Sequence, residues 1–323
     1  MLLRGTGSLW PHHGLAVILS FGLELLRSGA KEMRLRWRIS WFLALSLSTC
    51  SAQPVADISV SQLVRETVYN ELQEHERQDS WRYWIESNTQ KNQRTEEQVE
   101  TADGPVTRLL ESDGSALTPA AEKREQARLN HLLHSPLEQA LLRQKYIDSE
   151  ARIGRILGLL PDAFLFEDAG EGSGCHRLRF RPSPNYVPHS IEARILHAMS
   201  GELCIDTRFK RLVRLDGHLD DDVELGFGIL GRLYKGGWCR LKRIQVSPAD
   251  WETEQIEVHL SGRAMLLKGI DYETSEVRGG FIPVPPRISF AEGILLLGQT
   301  QPRVQHVATS TLESEPASLP AAR

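Results

Sequence analysis

The chain has 323 residues, of which 41% are hydrophobic and 25% are charged, a composition typical of a folded globular protein rather than of a disordered chain or a membrane bundle. The first 52 residues carry six of the 38 basic and two of the 42 acidic residues, which leaves 32 basic against 40 acidic residues, a formal charge of -8, on residues 53–323. Such an acidic domain repels nucleic-acid phosphates, so we expect no nucleic-acid partner.

Residues 33–52 have the three parts of a secretory signal peptide. Met33 is followed by a basic stretch with arginines at 34, 36 and 38, then by the apolar segment 39–47 and then by small residues. The apolar segment is shorter than the roughly 20 residues that span a bilayer, so we predict no transmembrane span in the mature chain. Residues 1–32 hold only a weaker apolar run, and we interpret them as an over-extended N-terminus.

The end of the signal leaves two processing routes open. Cleavage after Ala52 suits an ordinary signal peptidase, because Cys50 and Ala52 are small residues at positions -3 and -1. The segment ending at Cys50 also resembles a lipobox, in which the cysteine is lipidated, although Thr49 stands where Gly, Ala or Ser is usual. Both routes predict an exported protein of the periplasm or of the periplasmic face of the outer membrane.

Export would place the remaining cysteines in an oxidising compartment. These are Cys175, Cys204 and Cys239. One disulfide with one thiol left over is allowed, and the spacing does not say which pair would form.

The mature chain, residues 53–298, is predicted to be a single domain. It begins with an amphipathic helix over residues 59–76, followed by two or three strands. Residues 118–159 are rich in Ala, Leu, Glu and Arg, which predicts a helical insertion of two helices broken near Ser135-Pro136. Beyond Pro161, strands joined by short polar turns indicate an antiparallel sheet. Residues 299–323 have the composition of a disordered tail.

The clearest strand pattern lies between residues 203 and 215, where apolar residues alternate with charged ones and predict one apolar face. A second apolar face is predicted on a neighbouring strand. The apolar residues of the first face are Leu203, Ile205, Phe209, Val213 and Leu215, and those of the second are Ile256, Val258 and Leu260.

Three motifs that could suggest a cofactor or a metal are better explained as structural. Gly226-Phe-Gly-Ile-Leu-Gly231 matches a dinucleotide fingerprint, but no helix fits between it and Lys235-Gly-Gly237. His131, His134 and Glu138 could share a helical face, but Pro136 interrupts their spacing. Asp220-Asp-Asp222 lacks the alternating ligands of a calcium loop. We therefore expect no cofactor, no metal and no catalytic site.

The C-terminal half supplies a resemblance. Five of its segments resemble the LolA/LolB/RseB-like periplasmic lipoprotein-handling superfamily. These segments are Gly201-Glu-Leu-Cys-Ile-Asp206, Arg211-Leu-Val-Arg-Leu-Asp-Gly217, Phe227-Gly-Ile-Leu-Gly231, Lys235-Gly-Gly237 and His259-Leu-Ser-Gly-Arg263. The resemblance covers about residues 55–295. It implies an α+β fold in which a long curved antiparallel sheet forms an unclosed half-barrel, with helices packed on its concave side and a pocket for acyl chains. The resemblance also implies that the apolar residues of the two faces named above are the candidate ligand-binding residues, which are Leu203, Ile205, Phe209, Val213, Leu215, Ile256, Val258 and Leu260.

The function implied is that of a non-enzymatic envelope protein that binds lipid or lipoprotein acyl chains as a carrier, sensor or scaffold. Two alternatives remain open. A structural or protein-interaction protein without a lipid ligand could pair through a sheet edge such as residues 281–284. A hydrolase would need side chains such as His131, His134, His176 and His259 to converge in a pocket. The sequence does not predict the oligomeric state.

Overall fold

The computed structural model describes residues 59–74, 80–172, 174–225, 231–264 and 268–299. The predicted signal peptide with Cys50, the residues ahead of it, the tail from residue 300 and most of the Gly226–Gly231 motif lie outside the described residues. Within these ranges the chain is an α+β protein with one large antiparallel sheet that does not close and with five helices. The predicted fold class, an unclosed half-barrel with packed helices, is confirmed.

Helices and strands alternate in blocks along the described chain. The helices are α1 (Val60–Glu74), α2 (Pro119–Leu133), α3 (Pro136–Ala163), α4 (Ile191–His197) and α5 (Phe290–Gly298). The strands are β1 (Ser80–Thr89), β2 (Gln93–Val99), β3 (Val106–Ser112), β4 (Ser115–Ala116), β5 (Phe164–Gly172), β6 (Cys175–Pro182), β7 (Met199–Asp206), β8 (Arg211–Leu219), β9 (Val223–Leu225), β10 (Gly231–Leu233), β11 (Trp238–Gln245), β12 (Trp251–Ala264) and β13 (Lys268–Val284).

The helical insertion has the predicted break. Pro119 stands in the first turn of α2, where its missing N–H costs nothing, and the Thr118 side chain accepts a hydrogen bond from the Ala121 N–H. A second proline, Pro136, opens α3 in the same way. The two helices are therefore separate, as the prolines predict, and α3 continues to Ala163, where the sheet resumes.

The strands follow the order β4-β3-β2-β1-β13-β12-β11-β8-β7-β6-β5, and β10 pairs with β12 and β9. The early hairpins join the later meander through β1 and β13, which are antiparallel with Ser80 opposite Val284. Residues 281–284 thus pair with β1 along one side, while the pairing of β12 with β13 covers residues 268–277 and stops short of them. The ends of the strand order are β4 and β5.

The pattern between residues 203 and 215 forms two strands and not one. Asp206 ends β7 and its carboxylate accepts hydrogen bonds from the N–H groups of Arg208 and Phe209. Lys210 has a φ of 53°, which turns the chain back into β8. The alternation of apolar and charged residues continues through this turn, which is why the sequence pattern predicted a single strand over residues 203–215.

Helices cover both faces of the sheet. We call the face that carries Leu203, Leu215, Leu241 and Ile256, which are paired in register across four strands, the front face. The helices α1, α3 and α4 pack against it in the main hydrophobic core. The opposite face, the back face, carries the paired residues Val99 and Val106, and α2 and α5 pack there in a second core. The candidate functional site lies on the front face.

Candidate functional site

An apolar cavity of about 50 Å³ lies between α1 and the front face. Val64 and Val68 of α1 form one wall, and side chains of β5–β8, β11, α3 and α4 form the others. The lining contains only two residues with oxygen-bearing side chains, Thr67 and Glu71. Because ligand pockets are typically roughly 300–1,000 Å³, this cavity is too small in the present arrangement to hold a lipid chain.

The predicted ligand-binding residues divide into three groups. Leu203, Ile205 and Leu215 line the cavity. The second group, Ile256, Val258 and Leu260, is buried in the same core without reaching the cavity wall.

The two remaining predicted residues do not lie on this apolar face, and their assignment to it is wrong. Phe209 sits in the β7–β8 turn, half-buried, with its ring centroid 6.3 Å from that of Trp251. Val213 is half-buried at a strand irregularity that pairs Ile205 with Leu212. Leu212 therefore takes the place on the cavity wall that the alternating pattern gave to Val213.

A buried carboxylate–arginine cluster adjoins the cavity near the C-terminal end of α1, where Glu71 belongs to both. Arg211 Nη2 donates to Glu71 Oε2 at 3.1 Å, and Arg243 Nη1 donates to the same oxygen. The Leu212 N–H donates to the other oxygen, Oε1, at 2.9 Å. The three charged side chains are no more than 6% exposed. Burial, with the like charge of Arg243, lowers the pKa of Arg211 below its ordinary value despite the attraction of Glu71.

Further contacts attach the same end of α1 to the β7–β8 turn. Asn70 Nδ2 donates to the carbonyl oxygens of Phe209 at 3.2 Å and Lys210 at 3.3 Å. Arg211 Nη1 also reaches the Asn70 carbonyl at 3.5 Å. The helix is therefore held through its last turn, next to the cavity.

Sequence reasoning missed Glu71, Arg211 and Arg243. One signal was available, because Glu71 follows Val64 by seven residues and Val68 by three, which places a carboxylate on the apolar stripe of the helix. A carboxylate on a buried stripe needs a partner. The partners lie 140 and 172 residues away, and no local pattern marks them.

The cysteines divide into a disulfide and a thiol. Cys175 of β6 is bonded to Cys204 of β7, a pairing that the spacing had left open. Cys239 is free and buried and lines the cavity. Burial raises the pKa of its thiol to about 12, so the thiol is protonated and unreactive at neutral pH.

The other motifs do not assemble a reactive centre. His131 contacts Glu138 at 3.3 Å on the exposed helical insertion, and His176 lies between two largely exposed carboxylates. Among the described residues, no group of three His, Cys, Asp or Glu side chains could hold a metal ion.

One surface cluster has the residue types of a catalytic triad. Ser200 Oγ lies 3.2 Å from His218 Nε2, and Asp220 Oδ1 lies 3.1 Å from the same nitrogen. A triad requires the serine and the carboxylate on different ring nitrogens. This cluster therefore does not have the geometry that activates a serine.

Comparisons of the chain with known protein families, curated proteins and solved structures give no match. In the part of the chain that the structure describes, the helices are too short or too polar to cross a bilayer.

Proposed function

We propose that this chain is a non-enzymatic exported envelope protein that binds one acyl chain of a lipid or lipoprotein between α1 and the front face. The observation that carries the proposal is the apolar cavity directly beneath a helix. The half-barrel fold and the leader-like pattern of residues 33–52 are compatible with the lipoprotein-handling superfamily that the sequence resembles.

Binding would require α1 to move outward, because the cavity is too small for an acyl chain while Val64 and Val68 form its wall. For the apolar groups alone, the free energy lost when α1 moves out is close to the free energy gained when a lipid tail enters. Uncovering Leu63, Val64 and Val68 costs about 5–9 kcal/mol, at roughly 1.5–3 kcal/mol for each side chain. A tail that buries about eight methylene groups gains about 6 kcal/mol, at roughly 0.8 kcal/mol for each. A lipid tail can therefore replace the apolar side of α1.

The test is native mass spectrometry, with lipid extraction, of the protein purified from the periplasm of cells that express the full chain. We expect one lipid or acylated peptide bound per protein molecule. Leu203→Trp, which fills the cavity from the sheet side, should remove this adduct. Leu137→Trp is the matched control, because Leu137 is 74% exposed on α3. A clean ligand-free mass from the unmodified chain would overturn the proposal and favour a scaffold.

A further inference from the structure

We propose that the ligand is a single-chain amphiphile with an anionic headgroup, and that Glu71 occupies the headgroup site in the present structure. The inference rests on the proposed function, because it names the chemistry of the molecule that enters the same cavity. It makes α1 an internal competitor for the ligand.

The first observation is the set of donors around one carboxylate. Two guanidinium groups and one backbone N–H point at the two oxygens of Glu71. Arginine matches carboxylate and phosphate groups in charge and in donor geometry, and such hydrogen bonds are stronger than neutral ones. These donors are fixed by the sheet, since Arg211 and Leu212 belong to β8 and Arg243 to β11. Only the acceptor belongs to the helix that must move.

The second observation is that the donors adjoin the cavity. Leu212 contributes its N–H to the carboxylate and its side chain to the cavity wall. Glu71 itself lines the cavity with Val64 and Val68. The helix thus presents apolar groups and one anion to the same cavity, and these are the two parts of a fatty acid or an alkyl phosphate.

The consequence is selectivity for charge. A neutral alcohol of the same length can replace the apolar side chains of α1 but leaves two buried arginines without the anion they share, which is strongly unfavourable. An amphiphile with a carboxylate or phosphate headgroup replaces both the apolar side chains of α1 and the anion. Thr67, whose hydroxyl donates to the Leu63 carbonyl within the helix, does not compete for this site.

The experiment compares decanoate, decyl phosphate and decanol by isothermal titration calorimetry on the purified full-length protein, below the aggregation limit of each ligand. We expect decanoate or decyl phosphate to bind at least about tenfold more tightly than decanol, a factor that corresponds to about 1.4 kcal/mol. The tighter of the two anions identifies the headgroup. Glu71→Gln should raise the affinity for that anion further by about tenfold, while Glu66→Gln, on the same helix but outside the cluster, should not.

The outcomes separate the inference from the proposed function. Equal affinity for decanol and both anions would overturn the inference and leave acyl-chain binding intact. No binding of any ligand by the unmodified protein would overturn both. If Glu71→Gln does not fold, Arg243→Met decides, since it removes one of the two guanidinium groups at the carboxylate and should lower the ratio of anion affinity to decanol affinity toward one. A preference that Arg243→Met leaves unchanged would also overturn the inference.

Discussion

The helices α1 and α5 are both held to the sheet by two arginines near their C-terminal ends, but the arginines bind different groups. On the back face, Arg108 donates to the Leu297 carbonyl at 2.8 Å and Arg82 to the Gln299 carbonyl at 2.9 Å. These contacts satisfy backbone groups that every helix leaves open at its end. On the front face, Arg211 and Arg243 bind the side chain of Glu71.

The packing beneath the two helices also differs, because it is close under α5 and leaves a cavity under α1. At Gly293 of α5, an added Cβ would come within 2.6 Å of a Thr101 methyl carbon and 2.9 Å of a Val106 methyl carbon, so no space remains. The helix α1 covers a cavity. The helix α5 is close-packed and held through its backbone, whereas α1 is held at its last turn through the side chains of Glu71 and Asn70, next to a cavity. We therefore place the proposed ligand at the front face.

The largest effect is expected from Glu71→Ala. It removes the carboxylate that two buried arginines share, and breaking a buried pair in this way costs about 3–5 kcal/mol. The free energy of unfolding, measured by urea denaturation, should fall by that amount. Glu66→Ala on the same helix, where the Glu66 side chain accepts a hydrogen bond from Gln62 Nε2, should change it by less than about 0.5 kcal/mol. Equal losses from the two variants would remove the distinction between α1 and α5.

The next effect separates the cavity wall from the β7–β8 turn. Leu203→Ala should lower the free energy of unfolding by about 2–5 kcal/mol, because Leu203 is 8% exposed within the main core. Phe209→Ala should cost about 1 kcal/mol, the scale of one aromatic pair, since its ring is half-buried beside Trp251. Thermal and urea unfolding of both variants provide the measurement. A larger loss for Phe209→Ala would restore the single-strand interpretation of residues 203–215.

A pair of glycine substitutions tests the packing beneath α5. Gly293→Ala places a methyl group against two buried methyl groups and should destabilise the protein by about 1–3 kcal/mol. Gly158→Ala in α3 meets nothing within 4 Å and should stabilise it by about 0.5–1 kcal/mol through helix propensity. The sign of each change in melting temperature is the readout. A stabilising Gly293→Ala would mean that α5 does not pack as closely as described.

The smallest effect is expected at the N-terminus of α5. Ser289 and Glu292 form a capping box, in which each side chain accepts from the other residue's backbone N–H. Ser289→Ala should lower the free energy of unfolding by about 1 kcal/mol. Ser115→Ala, in the exposed strand β4, is the control and should leave stability within about 0.5 kcal/mol. An unchanged stability in Ser289→Ala would show that this helix end contributes nothing to the docking of α5.

Local patterns predicted much of this fold. The apolar stripe of α1, the prolines that open α2 and α3, and the alternation of the later strands all have causes within a few residues. The short helix α4 was missed because seven residues show too little periodicity. Although α5 has a capping box, its nearly uniform apolar sequence gave no helical stripe to recognise.

The candidate site was only partly predictable. Alternation placed Leu203, Ile205 and Leu215 on the cavity wall. It failed after Asp206, because hydrogen bonds from backbone N–H groups to one carboxylate turn the chain while the alternation of residue types continues. The cluster around Glu71 depends on which distant strands lie beneath α1, and this is a property of the tertiary fold.

The pairing of β1 with β13 has a consequence for folding. The partner of β1 lies 185 to 204 residues later in the chain, from Thr89 opposite Thr274 to Ser80 opposite Val284, and this seam joins the two parts of the sheet. Contacts so distant in sequence make folding slow, because a long loop must close before the pairing stabilises anything. One side of β1 therefore stays unpaired until β13 has been synthesised. A chain that stops before β13 keeps this strand edge open, and the edge can pair with other chains.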